Sequence, residues 1–258
     1  MISPLAHIDP KAQIANNVTI EPFAFIEADV IIGEGTWIGP HVVLMNGARI
    51  GKNCKIFPGA VISAIPQDLK FDGEVTTAEV GDGTIVREYV TINRGTNDRM
   101  KTTVGQNCLL MAYAHVAHDC VVGNNVILAN LVMLAGHVTI EDWAILEGYV
   151  GVVQFAKIGA HSFIAGKSGV RKNVPPFVKA AREPLAFAGV NTTGMRRRGF
   201  TNETIAQVED IYRTLYLRGL NVSNALAVIE KDHPASKEKD LILDFIRSSQ
   251  DGVIRGIS

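Results

Sequence analysis

Apolar residues along this chain recur with a period of six. Stepping by six from Ile2, every position as far as Val170 is aliphatic except Asp68, Glu74 and Asp98. A second column lies four residues after each of these. It holds small residues throughout, from Ala6, Ala12 and Val18 to Val138, Ala144 and Val150, and is broken only by Pro66 and Asp72. A six-residue period fits neither the 3.6 of a helix nor the simple alternation of a strand over such a length. It does fit short strands joined by corners, with one large and one small inward residue per hexad. Three hexads then close a triangular coil of eighteen residues. Stacked at the ~4.8 Å strand spacing, about ten coils make a prism ~48 Å tall. The predicted fold is mainly β, a parallel β-helix over residues 1–188.

Two segments interrupt the hexads, at about 63–78 and about 94–103. Extra residues at the corner of a prism project outward. Both segments are polar and charged yet sit between near-perfect coils, so they are expected to wall a cleft. After Val170 the pattern stops, and 177–190 reads as an extended connector. From about residue 200 the period turns helical, with Ile205, Val208, Ile211, Tyr212 and Leu215 at helix spacing. Ser223 and Ser236 are predicted to cap two further helices, the last carrying Leu241, Phe245 and Ile246. Residues 189–258 are thus expected to form a small helical domain that covers the open strand edge of the last coil.

Composition narrows the function classes. A formal net charge of −1 disfavours a general nucleic-acid surface. No apolar run is long enough for a transmembrane helix, and Met1-Ile2-Ser3-Pro4 lacks the opening of a secretory signal. Three cysteines suit no disulfide framework, so a cytoplasmic location is expected. Cys54, Cys108 and Cys120 all fall in the small inward column and read as core thiols rather than nucleophiles. Gly166-Lys167-Ser168 looks like the end of a phosphate-binding loop, but position 161 is His where that motif needs glycine.

The candidate chemistry lies in the histidines. Four of the seven, His115, His118, His137 and His161, fall within 115–161. Val116 and Cys120 point inward by the count, so His115, His118 and Asp119 face out or sit at a corner. Residues eighteen apart lie one above another. His118, Gly136 and Gln154 therefore form one column, and Asp119, His137 and Phe155 the next. That patch suits acyl transfer to a hydroxyl: His118 as general base, Asp119 as its partner, and the Gly136 N–H as donor to the oxyanion. Metal binding by neighbouring histidines is a rival reading. The run Arg196-Arg197-Arg198 precedes the first predicted C-terminal helix. It suits phosphate contact, or is simply a solvated charge run.

The hexad pattern resembles the hexapeptide-repeat acyltransferases. That implies a left-handed parallel β-helix with a small C-terminal α-helical domain, and a homotrimer. Several motifs narrow the resemblance to the UDP-N-acetylglucosamine acyltransferase family of lipid A biosynthesis. They are Gln67-Asp68-Leu69-Lys70, Ala114-His115-Val116-Ala117-His118-Asp119-Cys120, Leu134-Ala135-Gly136-His137-Val138, and Gly189-Val190-Asn191 followed by Arg196-Arg197-Arg198-Gly199-Phe200. The resemblance spans the whole chain. It implies transfer of a 3-hydroxyacyl chain from the phosphopantetheine thioester of acyl carrier protein to the 3-hydroxyl of UDP-N-acetylglucosamine, with no further cofactor and no metal. It also implies His118, Asp119 and Gly136 in catalysis. Asp68, Lys70, His115, His137 and Gln154 would lie around the substrates, and Asn191, Arg197 and Arg198 at the nucleotide, from a neighbouring subunit. Gly166 would gauge acyl length. Two positions depart from the family pattern, which often has histidine where this chain has Asn93 and Val153. The readings kept beside this one are an acetyl-CoA-dependent small-molecule O-acetyltransferase, a zinc hydratase of the carbonic anhydrase type, and a non-catalytic scaffold.

Overall fold

The structure, a computed structural model, describes residues 1–256. Its first part is a triangular prism of parallel strands, mostly two residues long. Face I runs from His7–Ile8 through His115–Val116 to Gly169–Val170. Face II runs from Gln13–Ile14 through Val121–Val122 to Lys157–Ile158. Face III runs from Thr19–Ile20 through Ile127–Leu128 to Phe163–Ile164 and continues into the C-terminal part.

Away from the insertions and the last coil, strands pair in register with the strand eighteen residues on, as in His7↔Phe25 and His115↔Met133. The bonds run from coil to coil, for example His115 N–H to the Val132 carbonyl at 2.9 Å and Met133 N–H to the Val150 carbonyl at 2.9 Å. Because strands this short have no ladder of their own to fall back on, these inter-coil bonds satisfy the backbone. The two inward columns fill the lumen. Ile62, Leu110, Val116 and Leu134 are fully buried, and so are the small Ala114, Cys120 and Val138. Between strands the chain turns through a corner whose second residue takes a left-handed conformation, as at Asn53, Asp119 and Asn125 (φ 52°, 59° and 56°).

The two interruptions project as expected, with narrower bounds. The first spans 65–76, between Val61–Ala64 and Thr77–Val80. The second spans 94–100, between Thr91–Asn93 and Lys101–Val104. Across them the pairing becomes Ile62↔Ile92 and Ile92↔Val116. The first insertion therefore adds twelve residues to a coil and the second adds six. Both leave the prism at the edge between faces I and II, on adjacent coils. The next corner up that edge is residues 117–120, which carries His118.

The segment at 177–190 is not a plain connector. Val178–Ala181 adds to face III and pairs antiparallel with Ala186–Val190, and Arg255–Gly256 adds beyond that hairpin as the last strand of the sheet. Four helices follow among the described residues: α1 (Thr192–Arg197), α2 (Asn202–Leu217), α3 (Val222–Asp232) and α4 (Lys237–Ser248). The arginine run thus lies at the end of α1 rather than before the first helix. Ser236 caps α4 through the Lys239 N–H, but α3 begins before Ser223 and is capped by Asn221, which accepts from the Asn224 N–H at 2.8 Å. An asparagine oxygen caps as well as a serine hydroxyl, so the earlier of the two started the helix. α2 buries Ile205, Val208, Ile211, Tyr212 and Leu215, and Phe187 of the hairpin stacks on Tyr212 and Tyr216. No helix among the described residues is long and apolar enough to cross a membrane.

Inward and outward positions of the prism should differ sharply in cost. Leu110→Ala, inside the lumen, is expected to lower unfolding free energy by ~2–5 kcal/mol. Val121→Ala, which faces outward, is expected to stay within ~0.5 kcal/mol. Chemical denaturation of both variants measures the difference; equal costs would contradict the packing.

Candidate functional site

The I/II edge above the two loops gathers most of the predicted chemistry. His118 and Asp119 are the two turn residues of one corner, between strands His115–Val116 and Val121–Val122. Gly136 and His137 occupy the same places one coil up, and Gln154 and Phe155 the next. His118 and His137 meet edge to face with ring centroids 5.0 Å apart, and His137 stacks on Phe155 at 4.6 Å. The count by eighteens is thereby realised in side-chain contacts.

His118 Nδ1 lies 2.8 Å from Asp119 Oδ2. An ionised carboxylate accepts only, so Nδ1 carries the proton and Nε2 keeps its lone pair. Nε2 faces outward toward Asp68 of the first loop, at 3.9 Å, beyond hydrogen-bond reach. Gly136 packs directly on this ring. A Cβ there would stand 2.5 Å from His118 Cε1 and 2.6 Å from Nε2, so only glycine lets the coils close over the imidazole. Its own N–H donates to no protein acceptor among the described residues. His115 lies on face I beside the corner, with Nδ1 2.7 Å from the Thr91 hydroxyl. Burial pushes the His115 pKa down, and the neighbouring His118 pushes it the same way.

Asp119 is wholly buried, yet its pKa is lowered. Burial alone would raise it. Hydrogen bonds outweigh that cost: Oδ2 accepts from the Thr96 hydroxyl at 2.6 Å and from His118, and Oδ1 accepts from the backbone N–H of Thr96 at 3.0 Å and Arg99 at 3.2 Å. The Arg99 guanidinium binds the Asp119 carbonyl at 2.9 Å, and Thr102 accepts from the Asp119 N–H at 2.8 Å. None of Thr96, Asp98, Arg99 or Thr102 was singled out from sequence. Asp98 stands 3.1 Å from His137 Nδ1, at ion-pair distance but without hydrogen-bond alignment. The only sequence signal was the polar character of the second loop.

His118, Asp119 and His137 offer nitrogen and oxygen atoms within 4.8 Å of one another. For a metal this would be a poor donor set, since both Asp119 oxygens already accept hydrogen bonds and His118 Nδ1 is held as a donor. The cysteines are equally unsuited to chemistry. Cys120 is fully buried, its thiol 3.1 Å from the Ala135 carbonyl, and burial pushes its pKa up to about 12.

Other predicted residues lie elsewhere on the chain. Lys70 is exposed at the outer end of the first loop, where its backbone N–H donates to Asp68 at 2.9 Å. Gln154 and Val153 are exposed on the I/II edge, and Asn93 is buried there with its Oδ1 unpaired. Asn191, Arg197 and Arg198 belong to the II/III edge. Both polar ends of the Asn191 carboxamide are engaged in the fold: Nδ2 donates to the His161 carbonyl and Oδ1 caps α1 through the Gly194 N–H. Arg198 lies over the Trp143 ring, 5.3 Å from its centroid, and donates to the Trp143 carbonyl at 2.9 Å. Gly166 is on the third edge, between faces III and I, where its N–H donates to Glu147 at 3.0 Å.

Comparison with known proteins decides the family. A family model described as UDP-N-acetylglucosamine O-acyltransferase, domain 2, matches residues 173–257, and one for the bacterial transferase hexapeptide matches 29–64 and 101–136. An acyl-[acyl-carrier-protein]–UDP-N-acetylglucosamine O-acyltransferase of Pseudomonas syringae is 48% identical over 256 residues, covering 99% of both chains. Its counterpart in Janthinobacterium is 45% identical over 260 residues, again 99% of both. The crystal structure of a UDP-N-acetylglucosamine acyltransferase from Bacteroides fragilis superposes with a TM-score of 0.97 at 48% identity, covering 99% of this chain and 100% of that one. The Arabidopsis structure matches with a TM-score of 0.83 at 32% identity, covering 100% and 99%. The chain belongs to the UDP-N-acetylglucosamine acyltransferase family. Its prism accordingly has the left-handed winding that the repeat resemblance implied.

One of the four histidines makes a pH prediction. His161 is held between Trp143 and Phe177, with ring centroids at 6.4 and 5.2 Å. Burial, and then the nearby Arg198 charge, depress its pKa to about 4. Above the ordinary value of ~6.5 it is neutral in both folded and unfolded chains. As pH falls from ~6.5 toward 4 the unfolded chain takes up a proton that the folded one refuses, so stability is lost. The melting temperature of the wild type should fall more steeply over that window than that of His161→Gln. Parallel slopes would show that His161 does not titrate this way.

Proposed function

We propose that this chain transfers a 3-hydroxyacyl group from acyl carrier protein to the 3-hydroxyl of UDP-N-acetylglucosamine, with His118 as general base and no acyl–enzyme intermediate. The curated relatives carry that donor and acceptor in their names. The observation that carries the mechanism is the state of His118: Nδ1 is tied to Asp119, and Nε2 faces outward without a hydrogen-bond partner, beneath a glycine that has no side chain to cover it.

In the proposed reaction, His118 Nε2 takes the hydroxyl proton as the sugar oxygen attacks the thioester carbonyl. The Asp119 carboxylate stabilises the imidazolium without itself taking the proton. Charge develops on the carbonyl oxygen, and the free Gly136 N–H is the donor for it. Collapse of the tetrahedral adduct breaks the carbon–sulfur bond. The departing thiolate recovers the proton from His118, leaving an ester and a free carrier thiol. Asp68, Lys70, His115, His137 and Gln154 line the ground around this point on the loops and the I/II edge. Arg197 and Arg198 suit the diphosphate, and Asn191 fixes the helix that presents them.

The working form in this reading is a homotrimer. One chain carries the proposed residues on three different edges of a rigid prism, where they cannot converge. The outer side of face III also stacks Ile85, Leu109, Ile127, Ile145 and Phe163 in one vertical row. An apolar stripe of that length suits burial against another copy of the chain.

With hydroxyacyl carrier protein and UDP-N-acetylglucosamine as substrates, His118→Ala should retain its fold and lose ~10²–10⁴-fold in rate. Cys120→Ser should stay active. Retention of activity in His118→Ala within tenfold would remove His118 as the base, and turnover of acetyl-CoA instead would favour the small-molecule acetyltransferase reading. Gly136→Ala should fold but displace the imidazole, costing at least ~10²-fold in kcat. A crystal structure of that variant with the His118 ring unmoved and activity intact would overturn the role given to Gly136.

A further inference from the structure

The second loop binds one buried carboxylate through several donors. Thr96 donates twice to one carboxylate: its hydroxyl to Asp119 Oδ2 at 2.6 Å and its N–H to Oδ1 at 3.0 Å. Oδ2 is also the oxygen that receives the His118 Nδ1–H. Thr96 and His118 therefore share one acceptor. The loop is held down independently by Arg99, through its N–H to Oδ1 and its guanidinium to the Asp119 carbonyl. Thr96 Oγ1 in turn accepts from the Asp98 N–H at 3.3 Å, on the residue whose carboxylate stands beside His137.

We propose that Thr96 is a positioning residue, which sets the orientation and basicity of His118 through the Asp119 carboxylate it shares with it. The inference rests on the reading of His118 as general base. Two constraints meet at Oδ2. The Thr96 hydroxyl fixes where the oxygen lies, and so fixes the plane of the imidazole that bonds to it. It also draws charge from that oxygen, which limits how strongly the carboxylate favours the imidazolium. A base that must release its proton to the leaving thiolate is served by such restraint. The charged groups facing this centre are His118 and His137 from the I/II corners, Asp68 and Asp98 from the two loops, the Arg99 guanidinium, and His115 from face I. All of them remain when Thr96 alone is changed.

The test uses full-length enzyme with hydroxyacyl carrier protein and UDP-N-acetylglucosamine. Thr96→Val and Thr96→Ala remove the hydroxyl, and Thr96→Ser restores it. In the first two, kcat should fall about tenfold or more, the scale of one charge-assisted hydrogen bond, with KM for both substrates within about twofold. The acid limb of the pH–rate profile should move to higher pH, because a carboxylate stripped of one donor holds the imidazolium more tightly. Thr96→Ser should recover both kcat and the limb. A loss confined to KM, an unmoved acid limb, or no recovery with serine would overturn the proposal, as would failure of both hydroxyl-free variants to fold. A double-mutant cycle separates this outcome from failure of the base reading. If Thr96 acts through His118, Thr96→Val adds nothing in the His118→Ala background. Additive losses would sink the proposal while leaving the base intact, and an active His118→Ala enzyme would sink the base reading itself.

Discussion

Everything in this molecule depends on the registration of one coil upon the next. Strands of two residues have no stability of their own. They persist because strand N–H groups bond to carbonyls of the next coil, and because an aliphatic and a small side chain meet their like directly above and below. The two conditions reinforce each other. Slipping the register by one residue would turn the aliphatic column outward and strand the inward polar atoms. The coil is thus locked in phase, and a corner residue on one coil has a predictable neighbour on the next.

That locking brings a buried, paired imidazole out of short turns. A lone corner would present a solvated histidine. Here the corner at 117–120 is roofed by Gly136 and His137 and floored by a loop that reaches back under it. The result is an imidazole 6% exposed whose partner carboxylate is wholly buried. A buried carboxylate stays ionised only if several donors face it, and the second loop supplies three of the four. The insertion thus makes chemistry possible at a position where the bare repeat would give only surface.

The same logic explains what the sequence revealed and what it hid. The prism, its inward columns and the vertical alignment of His118 with Gly136 were legible because they follow from counting. The insertions add twelve and six residues, so counting by sixes survives them while counting by eighteens does not. Asp68 reaches His118 across fifty positions and Thr96 reaches Asp119 across twenty-three, and neither interval is a multiple of the coil. By the count, Thr96 even passes for another small inward residue, four after Ile92; the structure places it in the loop, against Asp119. The arginine run was legible as a phosphate contact but not as the end of α1, because six residues with a glycine among them show no helical period. Asn191 was read as a ligand group; its capping role depends on the His161 carbonyl, thirty residues away.

Three edges of a triangular prism point away from one another, and a lumen filled with Ile, Leu and Val cannot flex to change that. The I/II edge holds His118 and Gly136, the proposed base and oxyanion donor, the II/III edge holds Arg198 over Trp143, and the III/I edge holds Gly166. A long acyl thioester and a nucleotide sugar each extend well beyond one corner. In the proposed reaction, their joint recognition by residues so divided would need an edge of one copy to face a different edge of the next. Threefold closure achieves this with a single repeated contact, and heterologous contacts that close into a ring need no second interface. In the proposed trimer, the rigidity that forbids one chain from assembling the site would let neighbouring chains assemble it three times.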